Sequence, residues 1–168
     1  MLDQTEKSSL MASLSALGQD LMQQAHDAQG QLLSKTQHAV SISDPQVRQS
    51  VQSKLDHSVN LLAIANIMAI FEYHFPRKYW VKTYNDPKLT KQLRAFKHMQ
   101  HCAIYGFTGV RATNNRVDFD RVFSASSKPN WIASLSDDEL FLSNGAAAHV
   151  YQVVRTAWER AIVAVHQM

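Results

Sequence analysis

Cysteine, glycine and proline are all scarce in this chain of 168 residues, which contains one, five and four of them respectively. A single cysteine excludes a disulfide framework and any cysteine-rich zinc fold. An all-β sandwich or barrel normally needs many glycine- and proline-rich turns, so their scarcity favours helices. The chain is 45% apolar and 18% charged, which suffices to fill a core and excludes a disordered tail. We therefore predict one all-α domain, since the length also suits one domain.

Long apolar runs are also missing. The most apolar stretch runs from Leu61 to Phe71, is interrupted by Asn66, and falls short of the roughly 20 apolar residues of a membrane span. This stretch is typical of a helix buried on most sides in a globular core. The amino terminus is polar and carries no apolar signal segment. We therefore expect no membrane contact and a location in the reducing cytoplasm.

Apolar spacing and helix-start signals predict four main helices. Asp44-Pro45 and Asp86-Pro87 are start signals, because the carboxylate caps free N–H groups and proline suits the first helical turn. The first helix carries leucines at helical spacing, and Gly30 is the position at which it could divide in two. The predicted helices cover residues 4–38, 45–74, 87–104 and 145–166.

An irregular segment is predicted before the last helix. Residues 107–130 are the least helical part, with a turn at Asn114-Asn115 and either a short strand or an irregular helix over 117–122. Ser136 and Glu139 match a capping box, which predicts a short helix or a turn.

We predict a single domain over 1–168, with an amphipathic helical segment over 1–40 and a helical bundle over 45–168. The first segment either covers the core or pairs with a second chain.

Positive charge is concentrated in the middle of the chain. The net charge is +3, yet residues 61–130 contain 11 lysine and arginine residues against 4 acidic residues, a local net charge of +7. Cations can meet phosphates and aromatic rings can stack on bases, so this region could bind RNA; the alternative is an ordinary solvated face. The predicted RNA-binding residues are Arg77, Lys78, Lys97, Tyr105, Arg111 and Arg116.

The densest candidate for chemistry is the set Arg94, His98 and His101, which helical spacing brings towards one face. An arginine can stabilise charge on a phosphate while a histidine moves a proton, as in a ribonuclease; alternatively, the histidines are structural. Cys102 points about 100° away from His101 on a helix, so we predict no metal site and a packing role for the cysteine. Glu72, inside an apolar run, needs either a basic partner from the third helix or contact with water.

Two segments resemble the HEPN superfamily (higher eukaryotes and prokaryotes nucleotide-binding). The segment from Asn60 to Tyr73 is similar to the family's apolar helix that ends in a Phe-Glu-aromatic patch. The segment from Arg94 to Gly106, followed by Gly109 and residues 117–119, is similar to the helix with the family's Arg-x(4–6)-His motif and to its sequel. The resemblance implies a compact helical domain, often dimeric, that is either a ribonuclease or an inactive binding module.

The family motif can be placed in two registers. In one, Gln100 and Tyr105 replace the family's arginine and second histidine, which implies loss of catalysis. In the other, Arg94 and His101 have the required spacing.

We therefore expect a HEPN-like domain of a prokaryotic defence or mobile-element system, which acts as a homodimer and binds RNA or a protein partner. An active form would be a metal-independent endoribonuclease without cofactors. Arg94 would contact the phosphate, His101 would be the acid or base, and His98 would orient the phosphate. The alternative is a catalytically inactive dimerisation or protein-interaction module.

Overall fold

The computed structural model describes residues 3–14, 16–39, 41–80, 84, 86–106, 114–123, 128–136 and 139–167. Within these ranges only the backbone is described at residues 16, 17, 36–39, 114–116 and 118.

Helices make up most of the described residues, so the predicted all-α class is confirmed. The helices are α1 (Gln4–Ser13), α2 (Ala16–Ala39), α3 (Pro45–His74), a 3-10 turn (Arg77–Tyr79), α4 (Pro87–Tyr105), α5 (Asn114–Val122) and α6 (Ala146–Gln167). Two short antiparallel strands, β1 (Ile132–Leu135) and β2 (Leu140–Leu142), form a hairpin between α5 and α6.

The two Asp-Pro signals begin helices as predicted. The Asp44 carboxylate accepts hydrogen bonds from the first backbone N–H groups of α3, at 2.8 and 3.1 Å. The Asp86 carboxylate accepts one from the Leu89 N–H group of α4, at 3.0 Å. These bonds satisfy donors that have no partner inside the helix.

The predicted division at Gly30 is wrong. Helix α2 continues through Gly30, which is exposed and has no atom within 4 Å of the position of an added Cβ. A single glycine in a helix costs only about 1 kcal/mol, which packing elsewhere along α2 can offset. The predicted first helix is instead divided between Ser13, where α1 ends, and Ala16, where α2 begins.

Helix α3 is the central element and packs against α2, α4 and α6. Within its apolar run Ile64, Ile67 and Phe71 are fully buried, whereas Leu62 is 56% exposed, so the run is buried on most sides, as predicted. The Phe71 ring lies 5.7 Å from the Trp80 ring and 6.0 Å from the Trp158 ring, centroid to centroid. The aromatic core therefore sits at the carboxyl end of α3, beneath the 3-10 turn.

A buried amide joins three helices. Asn60 of α3 is fully buried, and its Oδ1 accepts hydrogen bonds from the Ala147 N–H group at 3.0 Å and from Gln29 Nε2 at 3.4 Å. Its Nδ2 donates to the Asp56 carbonyl at 2.8 Å. Asn60 thus satisfies a free N–H group in the first turn of α6 and fixes α6 and α2 against α3.

The segment before α6 is more regular than predicted. Asn114 begins helix α5, so the predicted turn at this position is wrong, and residues 117–122 are helical rather than a strand. Ser136 Oγ accepts a hydrogen bond from the Glu139 N–H group at 3.1 Å, as in a capping box, but the two residues close the β1–β2 hairpin. Ser136 N–H also donates to the Glu139 carbonyl at 2.9 Å, which makes this segment a turn rather than a helix start.

Candidate functional site

Helix α4 carries the three residues predicted to act on a phosphate. It begins at the Asp86 cap and ends at Gly106, where a φ of 73° favours glycine. The helix is buried on several sides against α3 and α5, so only part of its surface reaches solvent. The placement of each predicted residue therefore decides whether it can meet a ligand.

His98 lies in the core between α4 and α5. It is fully buried, and its ring lies 5.0 Å from that of Phe119, centroid to centroid. The predicted role of His98 in orienting a phosphate would require this side chain to leave the core.

Arg94 and His101 are both half-buried on α4. They are seven positions apart, so the helical repeat places them on the same side of the helix. The structure thus keeps two of the three predicted residues on one surface.

His101 lies in a cluster of charged and aromatic side chains contributed by α3, the 3-10 turn and α4. Its ring lies 6.5 Å from the Tyr105 ring, and Tyr105 is 66% exposed. Burial lowers the pKa of His101, and the positive charges of Lys97 and Arg77 lower this pKa further. The negative charge of Glu72 raises the same pKa and offsets part of the effect. His101 is therefore mainly neutral at pH 7. We call Glu72, Arg77, Lys97, His101 and Tyr105 the His101 face.

Glu72 forms an ion pair with Lys97 across the α3–α4 interface. The expected partner from the third predicted helix is thus present, and the alternative of a solvent-facing carboxylate without a partner is wrong. Both side chains are mostly buried, at 26% and 18% exposure, so their charges largely neutralise each other. Lys97 has less charge available for a phosphate than its sequence position suggested.

The other predicted RNA-binding residues are distributed more widely. Lys78 is exposed, and its ammonium group lies 4.8 Å above the Tyr79 ring. Arg111 lies outside the described residues, and Arg116 belongs to α5 without a described side chain. The structure therefore brings together Arg77, Lys97 and Tyr105.

A second candidate site, which the sequence interpretation missed, lies beside the first two turns of α4. A cavity of about 750 Å³ is lined there by Lys88, Lys91, Arg121, Trp131 and His149, among others. The lysines are three residues apart, a helical spacing that sequence reasoning could have detected. Tertiary packing alone, however, brings Trp131 and His149 to the same place.

The described residues contain no group of three or more potential histidine, cysteine or carboxylate metal ligands. Cys102 is buried, in agreement with the predicted packing role. None of the described helices has the length and apolar character needed to span a bilayer.

No family model, no curated protein and no solved structure matches this chain. A proposed function must therefore rest on the residues, distances and charges of the chain itself.

Proposed function

We propose that this chain is an RNA-binding helical module that contacts single-stranded RNA through the His101 face. The observation that carries the proposal is the gathering of Arg77 and the exposed Tyr105 ring around His101, beside Lys97, whose charge Glu72 largely balances. Cations attract the phosphate backbone, and an exposed ring offers a surface on which an unpaired base can stack.

The geometry supports binding more than cleavage. His98 packs against Phe119 in the core and does not share a surface with Arg94 and His101. Gln100, which replaces an arginine in one register of the family motif, is 9% exposed and also faces the interior. His101 is mainly neutral and can accept a proton, but the buried His98 does not accompany it at the surface as the second histidine of the predicted catalytic set.

The wider proposal is a HEPN-like domain that acts as a homodimer in the cytoplasm, within a prokaryotic defence or mobile-element system. It is supported by the sequence resemblance and by the all-α fold. The RNA-binding test described below is independent of this wider proposal, because that test depends only on the residues of the His101 face.

The binding test measures the affinity of a labelled single-stranded RNA over a range of salt concentrations. Arg77→Gln should reduce the slope of log affinity against log salt by about 0.7, since one phosphate contact is lost. The matched control is Lys54→Gln, which removes an exposed lysine from the other end of α3. Equal losses in the two variants would contradict the proposal.

A second arm tests the aromatic contact. Tyr105→Ala should weaken binding by about 1–3 kcal/mol, because a stacked base loses its platform. Ile104→Ala is the control, since Ile104 is 64% exposed on the same helix but points about 100° away. If Tyr105→Ala bound RNA as tightly as the wild type, the Tyr105 ring would not be part of the RNA-binding site.

A second candidate function, self-association, is favoured by a groove between α2 and α3. Leu32 is 43% exposed and Leu62 is 56% exposed, and both line this groove of about 170 Å³ together with small alanine side chains. Exposed apolar side chains beside such a groove suit packing against a second copy of the chain. Leu62→Glu should then shift a dimer to monomer in light scattering, whereas Val163→Glu on α6 should not. A monomeric wild-type chain would exclude this candidate.

A further inference from the structure

The cavity beside the first turns of α4 lies apart from the His101 face. Lys88 lines the cavity and Lys97 belongs to the His101 face, and nine residues correspond to two and a half helical turns. The two lysines therefore leave α4 on opposite sides. The end of α5, the segment before β1 and the start of α6 line the rest of the cavity. Its volume, about 750 Å³, is within the range of small-molecule sites.

Positive charge dominates the walls of the cavity. Lys88, Lys91 and Arg121 line it, with Asp86 as the acidic residue among the described lining residues. The Asp86 carboxylate already accepts hydrogen bonds from the Leu89 N–H group and from Arg160 Nη1, both at 3.0 Å. Lys88 and Lys91 are exposed and form no ion pair with any residue that the structure describes. The cavity is thus suited to an anion.

Aromatic rings also line the same cavity. The Trp131 ring lies 5.1 Å from the His149 ring at an interplanar angle of 30°, and 5.2 Å from the Phe123 ring at 77°. Trp131 and Phe123 are each 6% exposed, so their rings are held in place by packing. Burial lowers the pKa of His149, which keeps its ring mainly neutral at pH 7. The His149 ring is exposed and lies nearly parallel to the Trp131 ring behind it, so it offers a supported aromatic face to a planar group.

We propose that this cavity binds a small anion that carries a planar aromatic or heteroaromatic ring. The ring packs against Trp131 and His149, and the negative group lies between Lys88, Lys91 and Arg121. The shared chemistry fits a phosphate ester of a nucleoside and also an aromatic carboxylate. A ligand needs both the ring and the negative group, because the aromatic side chains contact only the ring and the basic side chains contact only the negative group.

Calorimetric titration with four probes tests the two requirements separately. The probes are adenosine monophosphate, indole-3-acetate, adenosine without phosphate, and inorganic phosphate. At least one of the two ring-bearing anions should bind about ten-fold more tightly than both adenosine and inorganic phosphate. The stronger of the two identifies the anionic group, phosphate or carboxylate. Equal binding of inorganic phosphate, equal binding of adenosine, or no binding by any probe would overturn the proposal.

Variants then locate the site. The double variant Lys88→Gln, Lys91→Gln changes two exposed side chains and should lower the affinity for the preferred anion about ten-fold or more. Lys35→Gln together with Lys54→Gln removes the same charge from exposed positions on α2 and α3 and should leave the affinity unchanged. Equal weakening in both double variants would show a general charge effect and contradict a site at this cavity. The double variant at Lys88 and Lys91 should retain its affinity for single-stranded RNA within about two-fold, which separates this site from the His101 face.

Discussion

The same substitution at two glycines of helix α2 should change stability in opposite directions. Gly18 and Gly30 are both helical, so replacing either with alanine gains about 1 kcal/mol of helix propensity. At Gly30 nothing lies within 4 Å of the new Cβ, and the full gain should appear. Gly30→Ala should therefore stabilise the protein by about 0.5–1 kcal/mol.

At Gly18 the new methyl group would collide with a fixed ring. A Cβ at this position lies 2.4 Å from Trp158 Cη2 and 2.6 Å from Cζ2, well inside van der Waals contact. Trp158 is fully buried between the Phe71 and His74 rings, at 6.0 and 5.4 Å, so it cannot easily move away. Overpacking of this kind costs about 1–3 kcal/mol or more, which exceeds the propensity gain. Gly18→Ala should destabilise the protein by about 1–2 kcal/mol.

Urea unfolding followed by circular dichroism measures both variants on one scale. Because helix propensity cancels between them, their difference of about 1.5–3 kcal/mol isolates the collision with Trp158. Trp158→Phe removes the colliding atoms, so Gly18→Ala should cost less in that background, as a double-mutant cycle would measure. If Gly18→Ala proved as stable as Gly30→Ala, the close packing of α2 on Trp158 would be refuted.

Three further predictions concern the polar contacts that join the helices. Asn60→Ala should lower the free energy of unfolding by about 1–3 kcal/mol, because it leaves the buried Ala147 N–H group without its acceptor; equal stability in thermal unfolding would contradict this. Burial lowers the pKa of His57 below its usual 6.5, and its Nδ1 accepts a hydrogen bond from the Leu142 N–H group. The unfolded chain therefore binds the proton more readily, so stability should be complete above about pH 6.5 and fall as the pH is lowered towards 5.5, with a smaller slope in His57→Gln. Glu72→Gln should remove the ion-pair partner of Lys97 and thereby tighten RNA binding and steepen its dependence on salt concentration, as fluorescence anisotropy of the labelled RNA would measure. Unchanged RNA binding would argue against the His101 face as the binding site.

Local signals in the sequence were sufficient for the long helices. Asp44-Pro45 and Asp86-Pro87 fix their own helix starts, because the capping bonds join residues at most three positions apart. The spacing of apolar residues likewise located the buried run of α3. Interactions between residues that are close in the sequence could therefore be predicted from the sequence.

Signals that depend on distant partners misled the prediction. Gly30 suggested a break, yet α2 continues through it, and the glycine that matters for packing is Gly18, beside Trp158. The turn predicted as one alternative at Ser136 and Glu139 is confirmed, whereas the pairing of β1 with β2 across that turn was not predicted. Packing along α2 thus overrode the local glycine signal.

The candidate site was predictable only in part. Helical spacing placed Arg94 and His101 on one side of α4, but it could not show that α5 covers His98 with Phe119. The cavity escaped notice because Trp131 and His149 approach Lys88 and Lys91 only after α6 packs against α4.

The most direct measurement follows one labelled single-stranded RNA with wild-type protein and with His101→Ala, and records binding and cleavage in the same samples. We predict that the wild type binds the RNA and leaves it intact, and that His101→Ala binds within about two-fold of the wild type, since the neutral ring contributes no charge. Cleavage by the wild type that is lost in His101→Ala would contradict a purely binding role and establish a ribonuclease. Absence of RNA binding by the wild type would contradict the proposed function altogether.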